Sequence, residues 1–240
     1  MARRVVLSLA LLAWCVVALQ VALLLRVALM AWINPASTTF QRSELVRLAL
    51  DKHPVAWSQS WSGYDSISVH LKRAVIASED AGFTSHGGAD WEAMDKAWDR
   101  NQRVQTRAAK PGAKPPASKL RGGSTITQQL AKNLLLSGER SVLRKAQELV
   151  LAWMLEALLD KRRILELYLN NVEWGEGLFG AQAAARHYFR VDAGRLTPEQ
   201  AARLAVMLPA PKRFEQRPGS DYLVSRSSTI LARMASVDLP

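Results

Sequence analysis

Three short stretches of this chain bring together side chains that could do chemistry. The first is Glu79-Asp80-Ala81-Gly82-Phe83-Thr84-Ser85-His86-Gly87-Gly88. Glu79 falls at the end of an apolar-striped segment with helical spacing, so its carboxylate faces the negative end of the helix dipole and neighbours Asp80. Both effects favour the protonated form, which moves the carboxyl toward the range useful to a general base. A surface acidic pair before a glycine turn has the same sequence. The second stretch runs Arg121-Gly122-Gly123-Ser124-Thr125-Ile126-Thr127-Gln128-Gln129-Leu130-Ala131-Lys132-Asn133. The glycines admit backbone conformations that a Cβ resists, and Ser124 reads as the N-cap of a helix. Gln128 and Lys132, four apart, share a face with Thr125 and Gln129 beside them. Ile126, Leu130 and Leu134 take the core side. A helix start that offers amides, amide side chains and a cation suits an anion, phosphate above all. It serves equally as a polar helix start with no ligand. The third is Arg144, Lys145 and Glu148, three and four apart on the polar flank of an otherwise apolar helix.

Other chemistries find little support. His86 with Asp80 and Asp90 suggests a metal site, but there is no His-Glu-x-x-His, no Cys-x-x-Cys and no second histidine nearby. His86 therefore reads as a hydrogen-bonded structural residue. No phosphate-binding loop of the Gly-x-x-x-x-Gly-Lys-Ser/Thr type occurs. Cys15 is the only cysteine, which excludes a disulfide within the monomer and thiol chemistry outside the apolar amino terminus.

The elements that must position these residues are helical. Ile67–Asp80 reads as a helix with Ile67, Leu71, Ala74 and Val75 buried, and Asp90–Arg107 as a second. Ala108–Ser118 is a loop, because Pro111, Pro115 and Pro116 cannot continue a helix. Lys96–Arg121 carries eight basic residues against Asp99 and reads as a basic edge. Ser141–Leu159 is a strong helix whose 3.6-residue stripe is Leu143, Ala146, Val150, Trp153, Met154, Ala157 and Leu158. Arg163–Asn171 and Ala181–Phe189 are helical, with a turn at Gly175, Gly177 and Gly180 between them. Thr197-Pro198 opens a further helix that Pro209 and Pro211 stop, and Tyr222–Ala235 is the last. No strand pattern of useful length and no internal repeat is present. Asn170 and Asn171 read as helix-end residues and Trp174 as packing.

The amino terminus differs from the rest. Val5–Leu25 is apolar except for Ser8 and Gln20, and 21 helical residues span about 31 Å, the thickness of a hydrocarbon core. Arg3 and Arg4 before it place the amino terminus on the cytoplasmic side. The run is longer than a signal-peptide core and no Ala-x-Ala site follows. Arg26 can snorkel to the outer interface. Of the net charge of +11, these three arginines carry three, so the region after Ile33 keeps +8. Such a surface expects an anionic partner. Trp57 and Trp61 fit either the lipid headgroups or the core.

Taken in order, these stretches strongly resemble the glycosyltransferase domain of bacterial peptidoglycan synthases, glycosyltransferase family 51. Four blocks carry the likeness: Glu79-Asp80-x-x-Phe83-x-x-His86-x-Gly88; Gly122 to Gln129 followed by Lys132-Asn133; Arg144-Lys145-x-x-Glu148; and Ile164-Leu165-Glu166-x-Tyr168-Leu169-Asn170 with Gly180 and Ala184–Phe189 behind it. Ala89, where a larger apolar residue is common, and the long Ala108–Ser118 loop depart from the pattern. No Ser-x-x-Lys or Lys-Thr-Gly occurs, which groups the chain with family members that have no transpeptidase domain.

The resemblance implies an all-α fold, a single lysozyme-like helical domain preceded by one transmembrane helix. Its parts are a cytoplasmic tip and anchor over 1–33, a juxtamembrane segment over 34–65 and the glycosyltransferase domain over 66–240. It implies single-pass residence in the bacterial inner membrane, a periplasmic catalytic domain and a role in cell wall biogenesis. The reaction polymerises lipid II onto a lipid-linked glycan strand, with inversion at the anomeric carbon of MurNAc and release of undecaprenyl pyrophosphate. Glu79 is then the base and Glu148 the second carboxylate. Asp80, Phe83, His86, Ser124, Thr125, Gln128, Gln129, Lys132, Asn133, Arg140, Arg144 and Lys145 bind substrate, Lys132 and Arg140 at the donor pyrophosphate. No cofactor is required outright; a divalent metal, Mg or Mn, held by Glu148 is the option left open. The partners are lipid II, the strand and the membrane, with room for other cell-wall synthesis or division proteins and none for nucleic acid. A lytic enzyme of lysozyme type is the nearest rival, but it releases a neutral sugar and has no use for clustered cations.

Overall fold

The structure, a computed structural model, describes residues 2–51, 57–108, 123–136 and 141–240. Its helices are α1 (Ala2–Leu29), α2 (Thr39–Leu50), α3 (Val69–Glu79), α4 (Trp91–Ala108), α5 (Ile126–Leu135), α6 (Val142–Leu158), α7 (Lys161–Asn171), α8 (Ala181–Phe189), α9 (Pro198–Met207), α10 (Pro211–Glu215) and α11 (Asp221–Met234). The fold is all-α after one apolar helix. Caps explain where the helices begin. Ser141 accepts from the amide of Arg144, Asp160 from Arg163, and Thr197 closes a capping box with Gln200 ahead of Pro198. Most of the proline-rich loop, Ala109 to Ser118, lies outside the described residues.

The core is a bundle. α3 packs on α9 and α11, and α5 lies between α6, α7 and α2. Ile67, Leu71, Ala74 and Val75 are all buried, as their spacing predicts. The only strands among the described residues are short: β1 (Ser58–Gln59) runs parallel to β3 (Leu178–Phe179), and β3 is antiparallel to β2 (Glu173–Gly175). At two or three residues each they are too short to show a period. Gly180 leaves β3 at φ 84, and a Cβ there would come within 2.9 Å of the Asn170 carbonyl. One expectation fails, at α6. The stripe read from its sequence faces outward, with Leu143 83 % and Trp153 47 % exposed. The buried face is Glu148, Leu151, Ala152 and Leu155. α6 is apolar on two sides, and the inward one contains a carboxylate, which a hydrophobic pattern steps around.

The apolar helix is tied to this body. α1 contacts α6. The Gln20 and Gln147 side chains exchange two amide hydrogen bonds of 3.1 Å, so the one amide inside the apolar run has a partner. Arg163 of α7 donates to the Met30 carbonyl at 2.8 Å, to Asn34 at 2.7 Å and to Glu166 at 2.9 Å. Trp61 lies under the same guanidinium and Trp57 meets Phe179 in a tilted contact at 4.8 Å, so both tryptophans touch protein. Helix α2 starts at Thr39, because Thr38 and Gln41 form a capping box there.

A charged cluster joins α2, the β2–β3 hairpin and α10. Lys212 lies 3.2 Å from Glu173 and pairs with Glu44, which also pairs with Arg47; Arg47 meets Glu176. Burial pushes the Glu173 carboxyl up from 4.5 to about 7, against the opposing pull of Lys212. The folded chain therefore holds this proton more tightly than the unfolded chain. Its contribution to stability is complete below about pH 4.5 and is lost as pH rises through 7. Glu173→Gln removes that titration while keeping the shape. Its melting temperature is expected to gain on the wild type between pH 5 and pH 8, by roughly 2 kcal/mol of stability at the upper end. A constant offset across that range would contradict the assignment.

Candidate active site

The site forms where α3, α5, α6 and α7 meet. Glu79 is the last residue of α3 and is partly exposed. Its Oε2 accepts from Gln129 Nε2 at 3.0 Å, and Ser78 Oγ lies 3.4 Å from Oε1. Gln129 Oε1 in turn accepts from the Tyr168 hydroxyl at 3.0 Å. One turn further along α5, on the same flank, Lys132 reaches the charge of Glu148. Glu148 is buried and pairs with Arg144 at 2.9 Å and with Lys145. Lys145 also donates to Ser124 Oγ at 3.2 Å. Glu79 and the cationic cluster thus both border α5 within one turn of each other.

Lys132 is exposed on α5, and the protein around it strips part of the hydration of its ammonium. That desolvation lowers its ammonium pKa, outweighing the support from Glu148; Arg144 and Lys145 lower it further. Arg144 has a buried Nε with no partner among the described residues. Three cations stand around one carboxylate, an arrangement with positive charge to spare.

The start of α5 works differently from its sequence. The N-cap is Thr125, which accepts from the Gln128 amide while Gln128 Oε1 accepts from the Thr125 amide. Gln sits three residues after Thr125 and not after Ser124, so the capping-box spacing was available to find this. Asp80 accepts from the Ile126 amide at 3.0 Å. A protein carboxylate therefore occupies the positive end of α5, and its first amides serve the fold. Any anion bound here meets side chains instead. Gly123 does not need positive φ; it is small because Met94 of α4 stands 3.1 Å from where its Cβ would be.

Several expected site residues lie behind the cleft. Phe83 is fully buried, and Thr125, Gln128 and Asn133 are buried in or beside α5. Asp80 is buried and takes His86 Nε2 at 2.9 and 3.1 Å. Asp80, His86 and Asp90 offer ligand atoms within 4.8 Å of one another. Each of the three already serves the fold: Asp90 accepts from the Ala93 amide, and the Asp80–His86 pair holds the helix start. Lys161 fastens the same loop, bonding the His86 carbonyl and Glu156. Arg140 and Gly122 lie outside the described residues. At Glu148, Arg144 and Lys145 each hold one carboxylate oxygen, so the carboxylate is engaged by cations. Tyr168, whose hydroxyl ends the chain of bonds to Glu79, escaped the sequence reading of the site. The fourth motif block includes it, but its spacing does not separate it from the core positions around it.

One carboxylate set beside a cationic cluster is the arrangement that glycosyl transfer from a phosphate-linked donor needs. The chain matches the family described as Transglycosylase over residues 49–235. The chain belongs to this transglycosylase family. Among its relatives, a biosynthetic peptidoglycan transglycosylase of Paraburkholderia phytofirmans is 49 % identical over 215 residues, 90 % of this chain and 85 % of that protein. Its namesake in Bordetella pertussis is 52 % identical over 210 residues, covering 88 % and 84 %. That of Burkholderia vietnamiensis is 49 % identical over 228 residues, covering 95 % and 87 %. Membership makes the chain a glycosyltransferase, and the four motif blocks all fall within the matched range.

Proposed function

We propose that this glycosyltransferase polymerises lipid II into peptidoglycan strands at the outer face of the inner membrane. The observation that carries the reading is the single flank of α5, where Gln129 holds Glu79 and Lys132 meets the Glu148 cluster. Glu79 takes the proton from the 4-hydroxyl of the acceptor GlcNAc as that oxygen attacks the donor's anomeric carbon. The bond to the pyrophosphate breaks on the opposite side, so the configuration inverts. The leaving group is already a stabilised anion, and it needs cations more than an acid. Lys132, Arg144 and Lys145 supply them, with Arg140, which the family resemblance places at the donor pyrophosphate, as a fourth. Glu148 keeps Arg144 and Lys145 in place, and Ser124 and Gln129 line the cleft. Asp80, Phe83, His86, Thr125, Gln128 and Asn133 act from behind, by holding the α5 start and the 80–90 loop.

The anchor serves the same reaction, because confining an enzyme and its lipid-tailed substrates to one surface raises their effective concentration. Arg3 and Arg4 orient α1 with the domain outside the cytoplasm. Gln147 meets Gln20, five residues or about 8 Å inside the outer end of the apolar run. The outward apolar residues of α6, Val142 and Leu143 among them, then rest at the bilayer surface. That location explains why an apolar helix face is left without protein cover.

Purified protein given labelled lipid II is expected to produce glycan strands that still carry a lipid pyrophosphate end, and to release no fragments from finished, lipid-free wall. Fragment release without strand synthesis would favour a lytic enzyme and overturn the proposal.

A further inference from the structure

Tyr168 lies on α7 with its side chain 1 % exposed, and its hydroxyl donates to Gln129 Oε1 at 3.0 Å. The Gln129 amide has one acceptor oxygen and one donor nitrogen to place between two neighbours. An ionised Glu79 offers acceptors only. The nitrogen must therefore face Glu79, where it stands 3.0 Å from Oε2, and the oxygen must face Tyr168. The reverse orientation would set an amide oxygen against a carboxylate. Burial, and after it the charges of Glu79 and Asp80, keep the Tyr168 phenol well above its ordinary pKa of 10, so it remains a donor. The three groups come from three helices, 39 and 50 residues apart in sequence. They form a directed chain, O–H to O=C and N–H to carboxylate. A buried hydroxyl at the head of such a chain favours this orientation of the amide, because turning the amide would take the acceptor from the phenolic O–H and set the amide oxygen against the carboxylate.

We propose that Tyr168 is a positioning residue for the transfer reaction, holding the Gln129 amide so that its nitrogen sets the direction of the Glu79 carboxylate. The inference rests on the reading of Glu79 as the base. A base helps only when its lone pair meets the acceptor hydroxyl at hydrogen-bond distance, so losing the hold lowers turnover more than binding.

Tyr168→Phe keeps the ring and removes the hydroxyl. With lipid II as substrate, kcat is expected to fall about tenfold while KM stays within about twofold. The same substitution made on top of Gln129→Leu should change kcat by less than about twofold, since the phenol acts through that amide. Gln129→Leu alone should cost at least as much as Tyr168→Phe. An unchanged kcat for Tyr168→Phe, or an equal loss in both backgrounds, would overturn the proposal and leave Tyr168 a packing residue. So would a Gln129→Leu enzyme more active than Tyr168→Phe. That last comparison stands even where the double variant does not fold. Glu79→Gln assayed beside them separates the two readings. If Glu79→Gln still polymerises, the base assignment falls and takes this inference with it. If Glu79→Gln is inactive and Tyr168→Phe is not impaired, the positioning role alone falls.

Discussion

Glu79→Gln is expected to lower lipid II polymerisation by about a thousandfold or more, within the range that loss of a general base produces. Glutamine has the same shape as glutamate and still offers an oxygen to Gln129 Nε2, so the end of α3 should keep its structure. What it lacks is a lone pair basic enough to accept the acceptor's proton. Lipid II should bind as before, and the melting temperature should stay close to that of the wild type. Strand synthesis within tenfold of wild type, measured with labelled lipid II, would remove Glu79 from the role of base. Loss of binding along with loss of activity would assign it to substrate recognition instead.

Lys132→Ala carries the next largest effect. Lys132 is exposed on α5 within electrostatic reach of Glu148, Arg144 and Lys145, and surrounding protein strips part of its hydration. A partly desolvated cation interacts strongly with a departing pyrophosphate. Its removal is expected to lower kcat/KM by about a hundredfold, the scale of losing one preorganised donor to a developing anion. Affinity for a pyrophosphate-bearing donor mimic should fall with it. Desolvation lowers the ammonium pKa below 10.5, so donor affinity should decline on the alkaline side sooner than an ordinary lysine would allow. Lys132→Arg, charged throughout that range, should remove the decline. Unchanged affinity for the mimic in Lys132→Ala would take Lys132 out of the donor site.

The parts of this protein that its sequence determines by itself are those made by neighbours along the chain. Helix starts at Ser141 and Thr197 follow from a cap and its amide three residues on. The apolar span follows from 21 residues with two polar exceptions. The buried sides of α3 and α5 follow from spacing, because each has a single apolar face. The motif blocks are local too, and they name Glu79, Lys132 and Glu148 before any contact is known.

Only the tertiary structure decides which apolar side of α6 turns inward, because both sides satisfy the same period and packing chooses between them. Gln20 finds Gln147 across 127 residues, Asp80 occupies the start of α5 across 46, and Tyr168 reaches Gln129 across 39. A period or a cap reports interactions within about one helical turn. Contacts between distant segments depend on how whole helices dock, and that docking is set by the shape of the assembled core. For this reason the charged residues of the cleft are legible in the chain, while the buried tyrosine behind them and the carboxylate that fills the helix terminus become visible only when the helices are brought together.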